Sequence, residues 1–225
     1  MQTLTELLLE EGLNDRVLTD VQLGRLISGS SQRRYNLVNR AMKAGELIRL
    51  RRGLYMLPDK YRSKPCHPDA LAQRLVPGSY VSLETALSFH GWIPEAVYTT
   101  ASVVPGRKSK DFNCEFLGRF TFHPLAIQAG YFLELVERVQ LGEQAVLMAR
   151  PVRALLDLVC LKKMDWQGLA WLVQGMRIDE EMLNRVSAAE LGILKKVYKH
   201  KRVKDFITEL EIALGVNSGL EQGHD

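Results

Sequence analysis

Apolar residues recur at helical spacing from the first turn of the chain, where Leu4, Leu7, Leu8 and Leu9 outline an amphipathic helix that stops at Gly12. A second short helix is predicted where Val21, Leu23, Leu26 and Ile27 follow Thr19, a side chain suited to capping it. Ser28-Gly29-Ser30 reads as a turn, and Ser30 or Ser31 as the cap of a third helix. In that helix Leu37, Val38, Ala41 and Met42 form a stripe at i, i+1, i+4, i+5, and Gly45 ends it. The pattern then changes: Leu47 to Leu50 and Leu54 to Leu57 are apolar-rich runs joined by Arg51-Arg52-Gly53, a hairpin signal with glycine available for positive φ. Helix, glycine-containing turn, helix and hairpin together predict a winged helix-turn-helix over residues 1–60.

Residues 61–225 are expected to form a second, mixed α+β domain with a strand-rich centre and C-terminal helices. Pro68 to Leu75 is predicted helical, with proline near its start and Pro77-Gly78 after it. Val81 to Phe89 is another helix, with Ser82 as cap and Thr85 where a full capping box would have Glu or Gln. From Tyr98 to Pro124, β-branched and aromatic runs are broken by Pro105-Gly106 and Gly118, and strands are expected to continue through Tyr131 to Val139 and Gln144 to Met148. Pro151 to Leu161 is a helix apolar nearly all round, hence buried, and further helices are expected from Trp166 to Leu214. The polar segment from Asn217 to Asp225 is expected to fray. The whole is an α+β fold.

Composition changes this picture little. With 46% hydrophobic and 25% charged residues, a packed core needs no help from metals or disulfides. Cys66, Cys114 and Cys160 are widely spaced, without a C-x-x-C pair, and are expected to be reduced thiols in a cytoplasmic protein. Met1 to Glu6 lacks the basic and apolar regions of a secretory signal, and charges interrupt every apolar stretch well short of a membrane span.

The distribution of charge says more than its total of +4. Between Ser31 and Tyr55, seven basic residues (Arg33, Arg34, Arg40, Lys43, Arg49, Arg51, Arg52) stand against Glu46 alone, a local charge of +6. With Leu37, Val38, Ala41 and Met42 facing the core, the helical period puts Gln32, Arg33, Asn36, Asn39, Arg40 and Lys43 on or beside the opposite face. Arg pairs bidentately with guanine and Asn or Gln with adenine, so Gln32, Arg33 and Asn36, in the early turns, are candidates for base contact. Arg34, nearer the core boundary, is a candidate for phosphate. Arg49 lies on the hairpin, and Arg51 and Arg52 at its tip would touch the adjacent minor groove or phosphates. An isolated charge run is ordinarily a solvated face; coincidence with a helix-turn-helix and a hairpin favours double-stranded DNA.

Catalytic signatures are missing: there is no P-loop, dinucleotide fingerprint, G-x-S-x-G, H-E-x-x-H or EF-hand pattern. His90, beside Gly91 at a helix end, reads as a capping or packing residue, and Cys66-His67 as sequence neighbours whose side chains do not face each other. Asp111 with Glu115 could suggest a metal-dependent nuclease, yet the lysine of an E-x-K arrangement is missing there. The basic stretch Gly106 to Lys110 reads as an exposed turn able to add a secondary contact to nucleic acid or an acidic protein. No cofactor and no catalytic residue are expected.

A resemblance now bears on function. The hairpin end Leu54 to Pro58 (LYMLP), the segment Ser79 to Glu95 (SYVSLETALSFHGWIPE) and the later Ala149 to Leu158 (ARPVRALLDL) resemble the AbiEi family of abortive-infection antitoxins, over about Leu18 to Leu161. The resemblance implies a two-domain bacterial protein whose winged helix represses its own operon at inverted repeats, as a monomer or a dimer assembling on DNA. It further implies a second domain that counteracts a cognate nucleotidyltransferase toxin, directly or through the toxin's target. Tyr80, Leu83, Leu87 and Phe89 of the quoted segment are expected to build core. Another reading from a different class is a protein-interaction module in which the winged helix serves as scaffold.

Overall fold

The computed structural model describes residues 2–114 and 117–216 and has a mixed α+β fold with two sheets. Helix α1 (Leu4–Glu10) opens at Thr3 with a reciprocal capping box: Thr3 Oγ1 accepts from the Glu6 amide at 3.1 Å, and the Glu6 carboxylate accepts from the Thr3 amide at 2.7 Å. A two-residue strand, β1 (Leu18–Thr19), leads into α2 (Asp20–Leu26), where Thr19 and Gln22 repeat that device. Ser30 caps α3 (Ser31–Lys43), its hydroxyl accepting from the Arg33 amide at 3.2 Å. The hairpin β2 (Ile48–Arg51) and β3 (Leu54–Met56) follows, turning through Arg52 and Gly53, whose φ of +75° is the conformation this turn demands. The strands are ordered β1-β3-β2 and are antiparallel throughout.

A single 3₁₀ turn (Asp59–Tyr61) leads to α4 (Pro68–Leu75), β4 (Tyr80–Val81) and α5 (Leu83–Phe89). The central strands are β5 (Thr99–Val104), β6 (Lys110–Cys114), β7 (Gly118–Pro124), β8 (Val136–Leu141) and β9 (Gln144–Ala149). They form a six-stranded sheet in the order β6-β7-β5-β4-β9-β8, with β5–β7 and β4–β9 parallel and the other pairs antiparallel. The remaining helices are α6 (Pro151–Lys162), α7 (Glu180–Leu183), α8 (Ala188–Val197) and α9 (Lys201–Leu214), with a π-helical turn at Trp171–Gly175. No helix among the described residues is long and apolar enough to cross a membrane.

Three apolar clusters hold these elements. One joins α1, α2, α3 and the hairpin through Leu4, Leu8, Leu23, Val38 and Ala41. The largest packs α5, α6, α8 and α9 on the large sheet. Between them, Leu50, Leu54 and Met56 of the hairpin are buried with Leu71, Leu75, Phe120 and Phe122, so one core spans both sides of residue 60. The Cys114 thiol also donates to the Leu50 carbonyl at 3.3 Å.

Inside the second region lies a polar network of five fully buried side chains, Tyr80, Ser82, Arg153, Asp157 and Tyr198. Arg153 and Asp157, one turn apart on α6, are both fully buried. Arg153 donates from Nε to Asp157 Oδ1 at 2.9 Å, from Nη2 to the Tyr80 hydroxyl at 2.7 Å and from Nη1 to the Glu134 carbonyl at 2.9 Å. Asp157 also accepts from the hydroxyls of Tyr80 at 3.0 Å, Ser82 at 2.7 Å and Tyr198 at 2.7 Å. The charge pair is thus satisfied on every side, the condition under which a buried ion pair is tolerated. Burial, and then the Asp157 carboxylate, push the phenols of Tyr80 and Tyr198 well above their usual range.

Several expectations change. Ser82 does precede α5, but its hydroxyl bonds Asp157 rather than capping the helix. Phe89, expected in the core, is 43% exposed, because it falls off the buried face of α5 that Leu83, Ala86 and Leu87 form. Tyr131 to Leu135 is a series of turns, so the strand expected from Tyr131 begins only at Val136. The expectation of a frayed tail falls on residues 217–225, outside those described.

Candidate nucleic-acid interface

The apolar stripe of α3 packs inward as the spacing requires, with Val38 and Ala41 buried and Leu37 and Met42 partly so. That fixes the helix's rotation, and Gln32, Arg33, Asn36, Arg40 and Lys43 all emerge exposed on its outer side, with Asn39 half-buried at the edge. Gln32 Nε2 donates to Asn36 Oδ1 at 3.0 Å, one turn along, so the two amides are held side by side. Two apolar side chains of these helices are exposed as well, Tyr35 of α3 at 65% and Val21 of α2 at 63%. A reading confined to polar residue types did not include them.

Arg34 is half-buried, and its guanidinium lies across α2 at Gly24, Nη1 coming within 2.5 Å of the place a Cβ would take. Glycine at that position lets the arginine cover the α2 backbone. On the hairpin, Arg49 and Arg52 are exposed, whereas Arg51 is half-buried and donates from Nε to the Leu75 carbonyl at 3.2 Å. Arg51 is therefore partly committed to α4 instead of standing free at the tip. The Asp20 amide donates to the Gly53 carbonyl at 3.1 Å, tying the tip to the start of α2. Tyr55 packs beneath; burial, with the Asp20 carboxylate second, raises its phenol above the usual range.

Glu46, the one acid in the basic segment, turns away: its carboxylate accepts from Thr5 Oγ1 of α1 at 3.1 Å. Among the described residues no carboxylate lies within ion-pair distance of Arg33, Arg34, Arg40, Lys43, Arg49, Arg51 or Arg52. The positive field is thus not internally neutralised, and a polyanion placed against it would displace only water and counterions. Lys110 of β6 shares a hollow of about 370 Å³ with Arg51 and Arg52, and Arg107 and Lys108 of the same loop are exposed.

The other candidate groups take up packing contacts. His90 ends α5 and sets Nε2 3.0 Å from the Ala149 carbonyl; burial lowers its pKa. His67 caps α4 through Nδ1, which accepts from the Asp69 amide at 3.3 Å, while burial pushes the Cys66 thiol up, away from the thiolate. Asp111 is bound by Arg119, whose Nε lies 3.1 Å from Oδ2; Glu115, its expected partner, lies outside the described residues. Among the described residues no group of three or more His, Cys, Asp or Glu side chains is placed to hold a metal ion.

No family model matches this chain, and no curated protein matches its sequence.

Proposed function

We propose that residues 1–60 are a winged helix-turn-helix that binds double-stranded DNA, with α3 in the major groove and the β2–β3 hairpin as the wing. The observation that carries this reading is the outward row Gln32, Arg33, Asn36, Arg40 and Lys43, whose cations have no carboxylate partner among the described residues and which lies opposite a buried stripe. The strand order β1-β3-β2, with β1 entering between the first two helices, supports it as the arrangement that props a hairpin beside the last helix. Gln32, Arg33 and Asn36 read base edges; Arg34, Arg40, Lys43, Arg49, Arg51 and Arg52 hold phosphates and fix register. Following the resemblance to the AbiEi antitoxins, the chain represses its own operon at inverted repeats, and its second domain opposes a nucleotidyltransferase toxin.

The experiment is a titration of the full chain against the duplex upstream of its own gene and against a random duplex, at several salt concentrations. Arg33→Ala is expected to cost about 1 to 3 kcal/mol on the operator and to relax preference at one base position. Arg52→Ala weakens both duplexes by the same factor and reduces the salt slope by about 0.9. Equal losses on both duplexes for Arg33→Ala would remove the base-reading role. Weak, salt-insensitive binding together with a co-purifying protein would favour the scaffold reading, in which Tyr35 and Val21 belong to a protein interface. Failure of co-expressed chain to restore growth against a nucleotidyltransferase toxin of that type would remove the antitoxin role and leave the repressor untouched.

A further inference from the structure

A second concentration of positive charge lies far along the chain from α3 and plays no part in the reading above. Lys195, Lys196, Lys199, Lys201, Arg202 and Lys204 fall within ten residues that contain no acid, a local charge of +6. They run from the end of α8, through the connection, into the first turn of α9. There the surface is concave: a cavity of about 290 Å³ is lined by Lys163, at the end of α6, and by His200, Lys201 and Arg202, with Val159 and Val203 as an apolar wall.

Two features show that these cations are positioned. Lys163 terminates α6 in the left-handed conformation, φ 55°, its amide closing the helix on the Val159 carbonyl. Arg202 braces that end: Nη1 donates to the Lys163 carbonyl at 2.8 Å, and Nε pairs with Asp165 Oδ1 at 2.9 Å. The same two bonds tie α9 to the end of α6 and fix the guanidinium at the cavity edge. Asp165 is thereby committed to Arg202, and among the described residues no carboxylate lies within ion-pair distance of Lys163, Lys199 or Lys201.

We propose that this cavity binds the phosphate group of a small phosphate monoester. Like charges gathered from two segments repel, and a ligand carrying close to two negative charges with three acceptor oxygens relieves that repulsion better than a carboxylate does. The hollow is larger than a phosphate group and leaves space beside it for an organic portion, which bare phosphate would leave unused. The volume sits at the lower edge of small-ligand sites, room for a phosphate and a short carrier. His200 is the one ring among the lining residues and none of them is Phe, Tyr or Trp, so unpaired bases of a nucleic-acid strand have little to stack on.

The test is calorimetric titration of the full chain with 5′-AMP, inorganic phosphate and a random duplex, repeated with Lys163→Glu and Lys201→Glu. Both side chains are exposed, so the variants are expected to unfold at the same temperature as the parent when no ligand is present. The expected result is that 5′-AMP binds more tightly than phosphate and that each reversal weakens it about tenfold or more. No binding of 5′-AMP, or binding unchanged in both variants, would overturn the proposal. Phosphate bound as tightly as 5′-AMP would overturn the monoester assignment. Loss of duplex binding alone in the variants would make the surface a nucleic-acid contact instead. These readouts use α6 and α9 only, so they are separable from any failure of α3 to bind DNA.

Discussion

Replacing Asp157 by alanine tests the physical account of the second region most sharply. The carboxylate is the acceptor for Arg153 and for the hydroxyls of Tyr80, Ser82 and Tyr198, at 2.7 to 3.0 Å, and both charged side chains are fully buried. Removing it strands a guanidinium in a site with no water, which costs about 3 to 5 kcal/mol for a buried pair broken on one side. Tyr198 loses the shorter of its two bonds and Ser82 its one side-chain acceptor among the described residues, adding about 1 kcal/mol or more. A total of at least about 4 kcal/mol is a large part of the about 5 to 15 kcal/mol that holds a domain together. Urea denaturation followed by the fluorescence of Trp92, Trp166 and Trp171 measures it directly. The double variant Arg153→Met with Asp157→Leu removes both charges and is expected to be less destabilised than Asp157→Ala alone. A loss below about 1 kcal/mol for Asp157→Ala, or a double variant worse than the single, would refute the reasoning.

The same network predicts an alkaline limit. Tyr80 and Tyr198 keep their protons in the fold well above the ordinary value of 10.0, so the stability they lend is complete below pH 10 and falls as pH rises beyond it. These two phenols contribute about 2.7 kcal/mol per pH unit to the slope, and Tyr198→Phe should remove about 1.4 of it in denaturation curves collected above pH 10. Gly24→Ala should raise stability by up to about 1 kcal/mol through helix propensity, since the new methyl meets only the far end of Arg34. The displaced guanidinium should lower duplex affinity at the same time; a fall in thermal stability would show that Arg34 is held more firmly than its reach suggests. Arg40→Ala with Lys43→Ala removes two exposed cations from α3 and should reduce the salt slope by about 1.8, read from binding isotherms at graded salt.

What could be read from the sequence follows the range of the forces involved. Helix α3 was legible because its signals are local: a serine cap, a stripe at helical spacing and a glycine past its end. Its outward face followed from the stripe by geometry alone. Strand β1 was not legible, since two residues carry no alternation and Leu18 and Thr19 become a strand only by pairing with Tyr55 and Leu54. The partial commitment of Arg51 to Leu75 and the covering of Gly24 by Arg34 depend on neighbours brought close by folding. Arg153 and Asp157 did carry a signal, opposite charges four residues apart inside an otherwise apolar helix, and it passed unread beneath the apolar pattern. Two segments far apart in the chain meet in this network: Tyr80 and Ser82 come from Ser79 to Glu95, Arg153 and Asp157 from Ala149 to Leu158. What those segments have in common is a buried polar centre rather than an exposed reactive group. The basic run from Lys195 to Lys204 stands in the sequence, but the cavity beside it does not, because Lys163 and Lys201 approach one another only when α6 and α9 pack.

The core made by Leu50, Leu54 and Met56 with Leu71, Phe120 and Phe122 has a mechanical consequence. A DNA-reading head joined by a slack tether can swivel to suit operators of differing geometry, whereas here the hairpin beside α3 is welded to the large sheet. If two copies touch one another on inverted repeats, neither can swivel to follow a displaced half-site: inserting a few base pairs should then break their contact, and restoring it should take a whole turn of the duplex.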